Sequence, residues 1–388
     1  MLKRRHIPAP AIARDMPPAA GGAPRRIAVV APRNMRFSPE IATSIDLYIH
    51  EIALTSRYAD AITVVAQRTD RPFDDVQTAF WDAGDGPGAC CQTVERLAPD
   101  LVVVNQHLPT ASRLSGGMRA VGGGRARVAL VRHNFIKPPT NRVSAMRKLQ
   151  KLAALDGLAF VSSCCRDTFR TEWAPLLGRA KLPPLFVTPN GIDTALWRPA
   201  EKAEQVVFCG RLSPEKGVLE AARGIRGALG RHAGWRAVFI LDASGADDPD
   251  LRAYRRAVLD EIAAAGDRAA VRFNIPHDDV RRILGESAIA IAPTQNSEPF
   301  GRVAIEALAS GAALIASNAG GFVEIVGEGA GVLLETPSEH NIRAALDAVM
   351  ADPGLRRALA ARGRERAVTR YDLRNAAAAF DALVEGIL

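Results

Sequence analysis

The sequence predicts an α/β protein made of two doubly wound, Rossmann-like domains that face each other across a cleft. Its 388 residues are long for a single hydrophobic core, so two domains of ordinary size are expected. Short, continuously apolar runs recur along the whole chain, as strands buried on both faces of a parallel sheet do. Helix-length segments with one apolar side separate them, and this alternation places a ligand cleft between the two halves.

The first cycle opens with the strand Arg26 to Pro32, RIAVVAP. The turn after it, PRNMRFSPE, is not a glycine-rich dinucleotide fingerprint, which weighs against a dehydrogenase. Ser38 and Glu40 open a helix running to about Ser56, with Ile41, Ile45, Ile49 and Ile52 on its buried face. Ala61 to Ala66 is a second strand, residues 71–88 are turn-rich and unassigned, and Cys91 to Ala98 is helical. Strand Leu101 to Asn105 ends at Gln106 and His107, and the carboxyl end of a strand in an open α/β sheet is where ligands bind. Arg127 to Val131 is a strand with Arg132, His133, Asn134 and Phe135 as its exit loop. The basic helix Arg142 to Ala154 carries an apolar stripe of Met146, Leu149, Leu152 and Ala153. That stripe suits packing on the sheet and contact with an anionic membrane surface equally. Strands Gly157 to Ser163 and Leu185 to Thr188 flank a helix from Cys164, and Pro199 with the charged run Glu201 to Glu204 reads as a linker.

The second cycle begins with strand Val206 to Cys209 and its exit loop Gly210 to Gly217. Helix Val218 to Leu229, strand Ala237 to Leu241, helix Leu251 to Ala265, strand Val271 to Phe273, helix Asp278 to Gly285 and strand Ala288 to Ala292 continue the alternation. The next stretch, SEPFGRVAIEALASG, turns from loop to helix at Gly301 and ends at Gly311. Glu298 stands before that helix and Glu306 within it, so two carboxylates bracket an end that has unpaired N–H groups and suits a phosphate. In the exit loop, Arg211 offers a directional fork and Lys216 a mobile point charge, both suited to a diphosphate. Strands Ala313 to Ala316 and Gly331 to Glu335 follow, and from Ser338 the chain is helical with a break near Pro353.

Glu298 and Glu306 with seven residues between them, EPFGRVAIE, resemble the E-x7-E signature of family 4 retaining glycosyltransferases of GT-B fold. CGRLSPEKG, Cys209 to Gly217, resembles that family's G-R-x-x-x-x-K-G segment; PNGID at Pro189 to Asp193 and Gly320-Gly321 with Glu324 resemble two further segments. Composition, basic and rich in Pro and Ala, makes residues 1–24 a disordered tail; the resemblance implies an acceptor-side domain over 25–199, a nucleotide-sugar domain over 200–370, and a terminal helix over 371–388 that crosses back. It implies retaining transfer of a sugar from a nucleotide-sugar donor to a hydroxyl of a glycan or glycolipid. Arg211 and Lys216 would hold the departing diphosphate, Glu298 the donor sugar, and Glu306 the ribose. Phe300, Gly301 and Val303 would offer backbone groups to the diphosphate, and Ile275 would lie at the base. His107 resembles only loosely a histidine that contacts the donor sugar. No D-x-D metal motif lies between the sugar and phosphate sites, Asp247-Asp248 and Asp278-Asp279 being adjacent pairs in other contexts, so no metal and no separate cofactor is expected. A nucleotide-sugar epimerase of similar fold and a non-catalytic nucleotide-sugar binding protein remain alternatives.

Composition narrows the partners. The net charge of +8 is uneven: between Asp100 and Asp156 there is no acidic residue but there are many arginines and lysines. Such a surface favours an anionic or membrane-embedded acceptor, for instance a lipopolysaccharide core precursor. Aromatic residues are 5% and no stacking platform adjoins the basic run, which disfavours nucleic acid. No apolar run reaches the roughly 18 to 20 residues of a membrane span. Five cysteines in two adjacent pairs and a singleton fit a reducing compartment, so a cytoplasmic protein, peripheral on the inner membrane face, is expected.

Overall fold

The computed structural model describes residues 25–33, 37–40, 42–86, 88–118, 124–177, 181–243 and 249–388. The basic tail over 1–24, Ile41, and Asp247 with Asp248 lie outside them. The apolar runs of the first half form β1 (Ile27–Val30), β2 (Ile62–Gln67), β3 (Thr78–Trp81), β4 (Leu101–Asn105), β5 (Arg127–Arg132), β6 (Gly157–Phe160) and β7 (Leu185–Val187). They pair in parallel in the order β3-β2-β1-β4-β5-β6-β7. Those of the second half form β8 (Ala203–Arg211), β9 (Arg236–Asp242), β10 (Ala269–Phe273), β11 (Ser287–Ala292), β12 (Ala313–Ser317) and β13 (Gly331–Leu334), parallel in the order β10-β9-β8-β11-β12-β13. Strand order reverses direction between β1 and β4 and between β8 and β11, the two points beside which open α/β sheets bind ligands.

Helices cover both sheets: α1 (Ser44–Thr55), α2 (Ala89–Leu97), α3 (Leu108–Leu114), α4 (Arg142–Ala153) and α5 (Ser163–Leu177) on the first. The second carries α6 (Val218–Leu229), α7 (Pro249–Ala263), α8 (His277–Glu286), α9 (Arg302–Ala309), α10 (Gly321–Val326), α11 (Glu339–Ala351) and α12 (Pro353–Arg370). The last helix, α13 (Leu373–Ile387), returns to the first sheet, where Phe380, Leu383 and Val384 join the buried cluster of Ile49, Ile52 and Val29. Its Asp381 accepts a hydrogen bond from Ser56 at 2.5 Å. The architecture is that of two Rossmann-like domains, the GT-B arrangement.

Several local expectations need correction. Helix α1 starts at Ser44, not near Ser38, because Thr43 and Asp46 form a reciprocal capping box that satisfies both end amides. The turn-rich stretch contains β3, a half-exposed edge strand without a continuous apolar run. The exit loop after β4 immediately becomes α3, whose first turn tolerates Pro109. The linker is shorter than expected, since β8 begins within it at Ala203. On α4, Ala145, Leu149 and Leu152 face inward, whereas Met146 is exposed.

Candidate active site

Two loops that leave adjacent strands build one wall of the site. The loop after β8 contains Arg211 to Gly217, and the loop after β11 contains Pro293 to Gly301. They are fastened together at Glu215, whose carbonyl accepts from Gln295 N at 2.9 Å and from Thr294 Oγ1 at 2.7 Å. Gly217 makes this possible: its φ is +65°, and a Cβ there would lie 2.0 Å from the Pro293 carbonyl oxygen. The consequence is chemical. Lys216 Nζ reaches Glu298 Oε2 at 2.6 Å, although the two are 82 residues apart in sequence. Arg211 pairs with Glu215 at 3.1 Å beside them. Burial works to raise the Glu215 carboxyl, but its own backbone amide, Ser213 and the cations Arg211 and Lys216 bring it below the usual range.

The opposite wall comes from the first domain. Asn134, Phe135 and Lys137, in the loop after β5, face Arg211, Lys216, Thr294, Asn296 and Glu298 across a cleft of about 350 Å³. The first domain also holds the Glu298 loop directly, as Ser162 Oγ donates to the Pro299 carbonyl at 2.6 Å. From the second domain, Gly321 N donates to the Glu298 carbonyl at 2.7 Å. A Cβ on Gly320 would lie 2.1 Å from that same oxygen, so the Gly320-Gly321 pair serves close approach of the Glu298 backbone. Glu324, three residues on, accepts from Ser163 N at 2.8 Å at the start of α5.

Helix α9 is preceded by Gly301 as its N-cap residue, with φ +100°, and carries Glu306 one turn in. Glu306 is buried and accepts from Arg302 Nε at 3.0 Å. Arg302 turns its other two nitrogens to Glu51 on α1 of the first domain, at 2.8 and 2.5 Å. Burial opposes the Arg302 charge, yet the two carboxylates outweigh it and raise its pKa. Burial pushes Glu306 up to about 7: Arg302, whose terminal nitrogens belong to Glu51, pulls it down only partly, and the Glu51 charge adds to the rise.

Glu298, Arg211 and Lys216 thus share one cleft. Phe300 is buried against Tyr371, Val303 is partly buried against the core, and Ile275 lies half-buried at the end of the loop after β10. His107 lies at the C-terminal edge of the first sheet, apart from the residues that line the cleft. It is the N-cap of α3, with Nδ1 accepting from Thr110 N at 3.3 Å, and burial, Arg33 and Arg132 lower its pKa, so it is neutral at neutral pH. Sequence reasoning passed over Arg302, Ser162 and the wall Asn134 to Lys137. The arginine stood in plain view between Gly301 and Glu306, but its partner Glu51 is 251 residues away. Among the described residues no group of three or more metal-ligating side chains occurs.

Residues 194–366 match the family described as Glycosyl transferases group 1. An alpha-maltose-1-phosphate synthase of Mycolicibacterium smegmatis is 27% identical over 253 residues, covering 59% of this chain and 63% of that protein. A lipopolysaccharide core biosynthesis mannosyltransferase of Rhizobium leguminosarum is 29% identical over 53% of this chain and 60% of its own. The chain therefore spans less than two thirds of the length of either relative. HepE of Anabaena, solved in complex with UDP and glucose, superposes with a TM-score of 0.72 at 17% identity, over 93% of this chain and 99% of that one.

Proposed function

We propose that this chain is a retaining glycosyltransferase that moves a sugar from a nucleotide-sugar donor to a hydroxyl of a glycan or glycolipid. The observation that carries this reading is the meeting of Lys216 and Glu298 at 2.6 Å in the interdomain cleft, with Arg211 beside them. The match of residues 194–366 to Glycosyl transferases group 1 and the names of the relatives support a sugar transfer, and the UDP complex of HepE supports a nucleotide donor. Retention rests on the resemblance of Glu298 and Glu306 to the family 4 signature.

The proposed chemistry follows from charge. Breaking the anomeric bond to a diphosphate leaves positive charge at the sugar and negative charge on the leaving oxygen. Lys216 and Arg211 stabilise the second; loss of one such preorganised donor typically costs about 10²–10³ in turnover. Glu298 meets the first, and it exchanges Lys216 for the donor as the diphosphate takes that cation. The Glu306 carboxylate holds the ribose hydroxyls. The exposed face of α4, with Arg142, Val143, Met146, Arg147 and Lys151, suits an anionic membrane and hence a lipid-linked acceptor such as a lipopolysaccharide core precursor. That part predicts that charge reversal at Arg147 and Lys151 abolishes sedimentation with anionic vesicles; undiminished sedimentation rejects it. No helix among the described residues is long and apolar enough to cross a membrane.

The test is to incubate the protein with UDP-, GDP- and ADP-sugars without acceptor and follow the products by NMR. Slow release of nucleotide and free sugar from one donor, lost in Glu298→Ala and Arg211→Ala, is the expected result. A converted sugar still joined to its nucleotide identifies an epimerase instead. Binding of a nucleotide sugar that is never consumed, with or without acceptors, leaves only a binding protein.

A further inference from the structure

Among the described residues, Lys202, Arg364 and Arg302 are cations saturated by their surroundings. Lys202 Nζ meets the carbonyls of Gly285, Ser287 and Ser310 at 2.7 to 2.9 Å. Arg364 reaches the carbonyls of Trp197, Ala309 and Thr194. Arg302 lies between two carboxylates. Arg132, at the end of β5, differs. Of its five N–H donors, one is directed to the Gln106 carbonyl, while its Nε is buried without a partner. No carboxylate pairs with it, in keeping with the absence of acidic residues between Asp100 and Asp156.

The surroundings of Arg132 are built rather than incidental. Gln106 holds a φ of +66°, unusual for a residue with a side chain. That backbone turns its carbonyl to Arg132 while its amide bonds the Val131 carbonyl and its Oε1 accepts from His133 N. His107 follows directly. Thr110 N donates to Nδ1 at 3.3 Å and Thr110 Oγ1 lies 2.7 Å from the same nitrogen; with both contacts accepted at Nδ1, the neutral imidazole carries its proton on Nε2 and acts as a second donor. Arg33 and Arg132 both lie close enough to His107 to lower its pKa, and Arg132 acts the same way on Lys148. Lys148 in turn donates to the carbonyl of Lys137, which lines the cleft. Cys165 lies near Arg132 and donates through Sγ to the Pro299 carbonyl, next to Glu298.

We propose that Arg132, with His107 beside it, binds an anionic group, a phosphate or a carboxylate, that the acceptor carries close to its accepting hydroxyl. This rests on the glycosyltransferase reading, and it separates the duties of two cation sets. Arg211 and Lys216 serve the donor diphosphate; Arg132 anchors the acceptor from the other domain. A desolvated guanidinium prefers such a ligand because it binds oxyanions through two parallel N–H donors.

The experiment uses the full chain saturated with whichever of UDP, GDP and ADP stabilises it, so that the diphosphate site is filled. Inorganic phosphate and, in parallel, acetate are then titrated while melting is followed. A further rise in melting temperature with one anion is expected and tells phosphate from carboxylate. Its apparent affinity falls at least tenfold in Arg132→Gln, falls less in Arg132→Lys, and is unchanged in Arg170→Gln on the exposed face of α5. No added stabilisation of the wild type, or an equal response in Arg132→Gln, overturns the site. Should Arg132→Gln fail to fold by circular dichroism, His107→Gln is read in its place, with a threefold or greater weakening expected and an unchanged affinity counting against the proposal. If no nucleotide stabilises the protein but the Arg132-dependent phosphate response persists, the transferase reading fails and the assignment to an acceptor falls with it.

Discussion

Glu306 is the residue at which electrostatics and proposed function meet. Its pKa in the fold, about 7, stands above the ordinary 4.5 of glutamate, and burial is the leading cause. A carboxyl raised in this way binds its proton more tightly folded than unfolded. Its contribution to stability is therefore fully present below about pH 4.5 and is lost as pH rises toward 7. Melting of the wild type should fall over that window relative to Glu306→Gln, by an amount corresponding to at most about 3 kcal/mol. A parallel pH dependence in the two proteins would refute the shift. Binding has the opposite sign. If the ionised carboxylate holds ribose, nucleotide affinity should rise between pH 6 and 8 in the wild type and be flat in Glu306→Gln, as measured by calorimetry.

At the scale of elements, the site depends on how closely loops approach. A methyl group at Gly320 would collide with the Glu298 carbonyl, so Gly320→Ala displaces the carboxylate-bearing loop. We expect turnover to fall by tenfold or more while the circular dichroism spectrum is retained; wild-type turnover would show that the loop has room to spare. Helix α13 carries a different load. Phe380→Ala removes a fully buried ring from the first domain's core and should cost about 3–5 kcal/mol, read by denaturant unfolding. Sequence foresaw the strands and α6 well because each is a run of residues whose own pattern declares its burial. It misjudged the start of α1 because the Thr43–Asp46 box overrides the turn signal at Ser38. It missed β3 because an edge strand has only one covered side to advertise.

Across the whole molecule, the two domains are joined by directional contacts as well as by chain. Ser162 with Pro299, the α5 N-terminus with Glu324, and Glu51 with Arg302 all span the cleft. The motif residues Glu298, Arg211 and Lys216 were legible as a set, since each has a chemistry that suits a diphosphate sugar. Their partners were not, because ion pairs such as Glu51 with Arg302 form only when distant segments fold together. Glu51→Gln removes the charge that raises Glu306 but leaves Arg302 and Arg281, which lower it, in place. It should move the pH midpoint of nucleotide binding downward, and an unmoved midpoint would separate Glu51 from the site.

The most direct check of the central claim is a calorimetric titration of the nucleoside diphosphates UDP, GDP and ADP into the wild type, Lys216→Ala and Glu298→Ala. One nucleotide should bind the wild type, and affinity should drop at least tenfold in Lys216→Ala. Glu298→Ala, which frees Lys216 from its carboxylate, should bind that nucleotide as tightly as the wild type or more so. Binding indifferent to Lys216, or no binding of any nucleotide at millimolar concentration, would contradict the assignment of this cleft to a nucleotide sugar.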